Sequence, residues 1–267
     1  MFDNTGIFSG IVLAHINPIH FASYVYARMN KPEMLDITQQ DKFSLTREDV
    51  DGVGFVNITG PIIKNSSYWG YGSDAIVASL YNMYADKSIK TIIMRIDSAG
   101  GDAAAGFAIA QAVAVRNKPV IVHTDFAASA AYLSASPADE IIAAPQYSTI
   151  GGLGAIYIIE ESNTENPKLR FIRSEISPKK NEDTEKALSG DYSGLQEKVN
   201  KWGEMIADAV AAYRYSKNDY REIKSYQEMF SGDVFVVKKA KELGLIDSTG
   251  NIEYAVRRAK KIEKYGK

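Results

Sequence analysis

The chain has 267 residues, of which 45% are apolar and 24% charged, and its formal net charge is −2. That length and balance suit one large α/β domain or two small ones with a buried core, and the near-zero charge gives no electrostatic reason to expect nucleic acid or an anionic membrane as a partner. The sequence contains no Cys, which excludes disulfides, thiolate metal sites and a cysteine nucleophile and fits a reducing, cytoplasmic compartment.

Residues 1–45 read as a weakly patterned N-terminal extension. Met1-Phe2-Asp3-Asn4 lacks a basic n-region, so no signal peptide is expected, and no apolar run reaches the length of a membrane span. Phe21 to Arg28 reads as a helix ended before Pro32, with its tyrosines as core or interface fillers. Phe43 to Asp51 reads as a polar connector, and Val53 to Ile58 as a strand. The loop from Thr59 to Ser73 carries Tyr68, Trp69 and Tyr71, which suit either a binding groove or a surface excursion. Asp74 is expected to cap a helix in which Ile76, Val77, Leu80 and Tyr84 recur at helical spacing.

Thr91 to Ile96 is apolar on both faces, as a central strand must be. It runs into Asp97-Ser98-Ala99-Gly100-Gly101-Asp102 and then an alanine-rich helix from Ala103 to Val115. A strand over 119–124, a helix over 129–136 and a strand from Glu140 to Ala144 follow. This βαβαβ order predicts a parallel sheet with right-handed crossovers. Thr149 to Gly154 is a glycine-rich turn, followed by expected strands from Ala155 to Glu160 and from Leu169 to Arg173. Residues 174–190 read as a mobile polar loop. From Leu195 a long helix places Val199, Trp202, Ile206, Val210 and Tyr213 on one stripe. A turn and short helix from Gly232 to Gly244, a strand from Leu245 to Asp247, and a basic, solvated helix from Ile252 complete the chain.

Ser129 stands where an apolar strand turns into a helix, walled by alanines. It reads either as a nucleophile or as a plain helix N-cap. Acyl transfer also needs oxyanion donors and a base. Gly100-Gly101, at the carboxyl end of the preceding parallel strand, can turn backbone N–H groups into a cleft, and the N–H of Ala130 directly follows the serine. An ordinary strand-to-helix turn is the plain alternative for the glycines. His15 and His20 fall in the weakly patterned extension and read as structural, whereas His123, at the end of the strand leading to Ser129, stands as the second choice of base. A lysine serves as base only if its pKa falls from about 10.4 to about 7–8, which costs roughly 4 kcal/mol of dehydration. Lys179 and Lys180 lie on the polar loop and can raise the cost of charging each other. Two solvated surface lysines are the plain alternative.

Together these residues resemble the signal peptide peptidase A family of serine–lysine proteases, and especially its phage prohead-protease branch. Ile96-Asp97-Ser98-Ala99-Gly100-Gly101 is similar to that family's strand ending in Ser-Pro-Gly-Gly, with Ala99 in place of Pro. Ala128-Ser129-Ala130-Ala131-Tyr132 matches its nucleophile motif, and Ala138-Asp139-Glu140-Ile141 the segment after it. Gly151-Gly152-Leu153-Gly154-Ala155 matches a further motif, with Gly152 where Ser is common. Gly232 to Ala240 and Leu243-Gly244-Leu245-Ile246-Asp247 resemble the C-terminal signature, with Asp233 where Arg is usual.

The resemblance implies a Clp protease/crotonase-like α/β fold, a spiral of ββα units with mainly parallel strands and a helical C-terminal part. It implies a protease-like core over 46–250 and a C-terminal helix over 251–267. Ser129 is the implied nucleophile, Lys180 the implied base with Lys179 beside it, and Gly101 and Ala130 the oxyanion donors. Gly100 and Gly152 are implied to line the substrate site. The lysine loop is one residue longer than in the signal peptide peptidases, and the Ser absent at 152 leaves another group to orient the lysine. No metal or cofactor is implied. The expected partners are a protein or peptide substrate and further copies of the chain in a ring, with capsid or scaffold proteins if the setting is a phage prohead. Two other readings stand beside it. One is a non-catalytic assembly protein. The other is a crotonase-type acyl-CoA enzyme, for which Asp97 and Asp102 are the candidate carboxylates.

Overall fold

The computed structural model describes residues 46–50, 52–66, 71–145, 148–158, 175–177, 179, 181–215 and 225–265. Eight strands lie among them: β1 (Thr46–Val50), β2 (Val53–Thr59), β3 (Thr91–Ser98), β4 (Val120–Ala128), β5 (Glu140–Ala143), β6 (Thr149–Gly151), β7 (Val234–Val236) and β8 (Ser248–Thr249). The helices among them are α1 (Ser73–Ala85), α2 (Ala103–Ala114), α3 (Ala130–Ala135), α4 (Glu182–Leu188), α5 (Ser193–Arg214), α6 (Tyr226–Met229), α7 (Val237–Glu242) and α8 (Ile252–Tyr265).

The sheet runs β1-β2-β3-β4-β5-β8, and β6 attaches to the end of β4 and carries β7. Every pairing from β2 to β8 along this path is parallel. β6 is also parallel to β4, whereas β1–β2 and β6–β7 are antiparallel. The period-2 alternation of the strands separates two cores. Val56, Ile58, Ile92, Met94, Ile96, Val120, Val122 and Ile141 share one core with α1, α2 and α3. Val53, Ile93, Ile121 and Ile142 face the other way and pack against Ala255, Ala259 and Ile262 of α8. Each such aliphatic side chain withdrawn from water is worth on the order of 1.5–3 kcal/mol, so a sheet apolar on both faces needs a cover on both. The basic C-terminal helix is therefore half core: its alanine and isoleucine stripe lies on the sheet, and Arg258 pairs with the buried Glu140 of β5 at 2.8 Å.

Several local expectations change. The connector before Val53 contains β1, an edge strand whose pairing partner is β2. Gly72, not Asp74, is the N-cap of α1, and Asp74 sits in the first turn. Its carboxylate accepts the N–H of Ala75. β4 runs to Ala128, four residues past the expected end, because β6 pairs with its last turn of sheet. The expected strand from Ala155 shows a single bridge residue, Ile156, over its described part. The polar segment 174–190 holds α4, which has an acidic first turn and a Glu182–Lys186 ion pair at 2.8 Å. Tyr213 falls off the buried stripe of α5 at 40% exposure, while Ala211 is buried in its place. Leu245 to Asp247 is not a strand, although Asp247 donates its N–H to Ile141 O, and the pairing moves on to β8. The expected helix over 21–28, the strand over 169–173, Tyr68 and Trp69 lie outside the described residues.

Candidate active site

Ser129 joins β4 to α3 with φ 58° and ψ −125°. A non-glycine residue held at positive φ carries backbone strain of roughly 1–3 kcal/mol, which only surrounding structure can maintain. Two backbone bonds do so here: Ser129 N donates to Gly151 O at 2.7 Å, and Ser129 O accepts from Leu133 N at 2.9 Å. A plain N-cap would spend its hydroxyl on the helix, but Ser129 makes no side-chain capping bond. Its Oγ is, among the described residues, the only buried side-chain N or O atom without a hydrogen-bond partner. The residue is 1% exposed. A bulge in the β3–β4 register, between the pairs Ile96–Thr124 and Asp97–Phe126, places one extra residue on β4 just before the serine. Such bulges re-aim the chain beside functional groups.

The glycine turn after β3 is built against this elbow. Gly100 has φ 97°, and a Cβ there would lie 2.8 Å from Ser129 Cβ and 2.9 Å from Ala130 N. No side chain fits, so the turn and the first residue of α3 touch backbone to backbone. On its other edge the turn is zipped to Ile62: Ile62 N donates to Gly100 O, and Asp102 N donates to Ile62 O, both at 2.8 Å. In an extended segment successive peptide groups face opposite sides. Residues 100 and 102 spend theirs on Ile62, which turns the Gly101 N–H to the opposite edge. Among the described residues neither Gly101 N nor Ala130 N has an acceptor. The first N–H groups of a helix are left free in this way by geometry.

Ser98 is a supporting residue that sequence reasoning passed over. Its hydroxyl donates to Gly60 O at 2.5 Å and accepts the Gly100 N–H at 3.1 Å, pinning the turn. A Ser two positions before a glycine is a turn-forming signal that could have marked it. Asp102 leaves the list of possible cleft carboxylates: it is the N-cap of α2 and accepts the Ala105 N–H at 2.8 Å. Asp97 is exposed. The β6–β7 pair closes the far wall. Gly151 (φ 128°) and Gly152 (φ 59°) both need positive φ, and Gly152 N donates to Asp233 O at 2.7 Å.

His123 does not approach the serine. Its Nε2 lies 3.1 Å from Gly250 O, beside α8. It lies six residue steps along the strand from Ser129, roughly 20 Å at about 3.3 Å per step. Burial, with Arg95 adding to it, holds its pKa below 6.5. His15, His20 and Lys180 lie outside the described residues. Lys179 is exposed, and its carbonyl accepts the Glu182 N–H at the start of α4.

Residues 62–147 match the Clp protease family. Protease 4 of Salmonella typhi is 28% identical over 204 residues, 72% of this chain and 31% of its own length. The chloroplastic serine protease SPPA of Arabidopsis thaliana is 28% identical over 196 residues, 70% of this chain and 28% of its own. The chain thus spans about a third of the length of these two relatives. A solved enoyl-CoA hydratase/isomerase family member shares the fold at a TM-score of 0.51 and 14% identity, covering 82% of this chain and 76% of that one. The likeness to the signal peptide peptidase A proteases and to the Clp/crotonase fold therefore holds. None of the described helices is long and apolar enough to cross a membrane.

Proposed function

We propose that this chain, similar to proteases of the signal peptide peptidase A type, is a serine endopeptidase working through a Ser129–Lys180 dyad. The observation that carries the proposal is the Ser129 hydroxyl, unpartnered on a strained strand-to-helix elbow. An orphaned buried hydroxyl costs about 1–3 kcal/mol, a cost that a structural serine avoids by bonding.

The Ser129 Oγ attacks the scissile carbonyl as the neutral Lys180 amine takes its proton. The carbonyl π electrons move to the oxygen, and the oxyanion is held by the N–H groups of Gly101 and Ala130. Collapse breaks the C–N bond, with the lysine ammonium returning its proton to the leaving amine. Water, deprotonated by the same amine, then attacks the acyl carbon; the ester bond to Ser129 Oγ breaks, and the serine oxygen takes the proton back from the lysine ammonium. Gly100 and Gly152 line the substrate site because backbone must approach backbone there. The 1% exposure of Ser129 requires its cover to move before an extended chain can reach it. The substrate is a protein or peptide, and the setting suggested by the resemblance is capsid maturation or cytosolic peptide degradation by a homo-oligomeric ring.

A fluorophosphonate probe tests this. Labelling of the wild-type chain, lost in Ser129→Ala and in Lys180→Ala but kept in Lys179→Ala, is the expected pattern. The same burial of Ser129 favours a non-catalytic assembly role, which predicts no labelling of the wild type. Peptide turnover by Ser129→Ala equal to wild type would reject the nucleophile.

A further inference from the structure

The turn after α7 is gripped in a way that the dyad alone does not explain. Helix α7 ends in a Schellman motif: Leu245 N donates to Ala240 O at 2.8 Å and Gly244 N to Lys241 O at 3.0 Å, with Gly244 at φ 74°. The next three carbonyls each take a side-chain donor, two from the end of α5 and one from α3. Leu243 O accepts the Tyr215 hydroxyl at 2.8 Å. Gly244 O accepts Arg214 Nε at 3.0 Å and Nη2 at 2.9 Å. Leu245 O accepts the Tyr132 hydroxyl at 2.8 Å. Asp247 locks the arrangement, taking Arg214 Nη2 at 2.9 Å on one oxygen and the Ile141 N–H at 2.7 Å on the other.

Tyr132 is the link from this hub to the elbow. It sits on α3 three residues after Ser129 and is fully buried, and burial pushes its phenol pKa up, so it stays a donor. α3 is only six residues long, and Ser129 gives it no capping side chain. Besides core packing, its axial position is held at its start by Ser129 N on Gly151 O at 2.7 Å, on the α2 side by Ser134 Oγ on Gly106 O at 3.4 Å, and on the far side by the shorter Tyr132 bond to Leu245 O. A short helix that slides or rotates carries the Ala130 N–H with it, and an oxyanion donor misplaced by an ångström loses most of its value.

We infer that Tyr132 is a positioning residue, whose hydrogen bond to the Arg214–Asp247-braced turn holds α3 so that the Ala130 N–H stays aimed beside Ser129. The inference rests on the proposed function for its catalytic readout, and on the molecule alone for a second one. In Tyr132→Phe the ring still fills the core, and only the bond to Leu245 O is lost.

Two measurements on the full chain decide it. Hydrogen exchange of the Leu133 amide, read without substrate, should quicken about tenfold in Tyr132→Phe, while exchange in α2 stays at its wild-type rate. Peptide kcat and the fluorophosphonate labelling rate should fall about tenfold with KM unchanged. Asp247→Asn, which loosens the brace from the other side, should shift both readouts the same way, and the double variant should do little more than either alone. Unchanged Leu133 exchange overturns the inference, whatever the probe shows. So does a variant with a lower Tm but wild-type kcat at temperatures where it is folded. A wild-type chain that the probe never labels defeats the protease reading instead and leaves the exchange result to judge Tyr132.

Discussion

Gly100→Ala tests the contact on which the candidate site is built. At φ 97° an added Cβ would lie 2.7 Å from Ala128 O, 2.8 Å from Ser129 Cβ and 2.9 Å from Ala130 N. All three are closer than real Cβ contacts allow, and none is the tip of a flexible side chain. The positive φ costs roughly 1–2 kcal/mol for an L residue. Overpacking against fixed backbone adds about 1–3 kcal/mol, for a total of about 2–5 kcal/mol. At roughly 2–4 °C per kcal/mol for a chain of this size, Tm should fall by about 10 °C. The only relief is to push the start of α3 away from the glycine turn, which separates the Gly101 and Ala130 N–H groups. Fluorophosphonate labelling should then fall by more than tenfold even at temperatures where the variant is folded. Urea titration gives the stability, and labelling at matched folded fraction gives the site. A Gly100→Ala chain with wild-type Cm and wild-type labelling would show that the turn does not press on the elbow.

Three further outcomes follow from particular side chains. Ser129→Gly removes an orphaned hydroxyl worth about 1–3 kcal/mol and relieves positive φ, against about 0.5–1 kcal/mol of glycine entropy. The net gain of about 1–4 kcal/mol should raise Tm by about 2–15 °C while abolishing labelling, and a lower Tm would contradict the strain read at this residue. Asp139→Asn breaks the Arg116 pair, at 2.7 and 2.8 Å, and weakens the bond from Val120 N at 2.9 Å. A loss of about 2–4 kcal/mol in chemical denaturation is expected, because a part-buried guanidinium keeps its charge without its partner. His123 is held below 6.5 by burial, so the unfolded chain binds a proton that the folded chain resists. Stability is therefore full above the unfolded value and falls as pH drops through 6.5 toward the lower folded value. Tm should decline from pH about 7.5 to about 5.5, and the decline should be shallower in His123→Gln; equal slopes would sink this account.

The amino-acid order alone marked the buried strands, the alanine-rich helix after Gly101, the Gly100-Gly101 turn and the Ser129 elbow. It did so because a strand apolar on both faces, a helix stripe and a glycine needed for φ are properties of neighbours in sequence. The tertiary structure decided matters that hinge on groups far apart in the chain. Asp102 became a helix cap, and His123 turned toward Gly250. The polar connector became β1 because β2 offered it an edge. The basic C-terminal helix acquired a buried face only because Val53, Ile93, Ile121 and Ile142 needed a cover. No periodicity could show that Tyr132 reaches a carbonyl 113 positions away. Hydrophobic pattern is local and survives in the sequence, whereas hydrogen-bond partners are chosen by the packing that the pattern brings about.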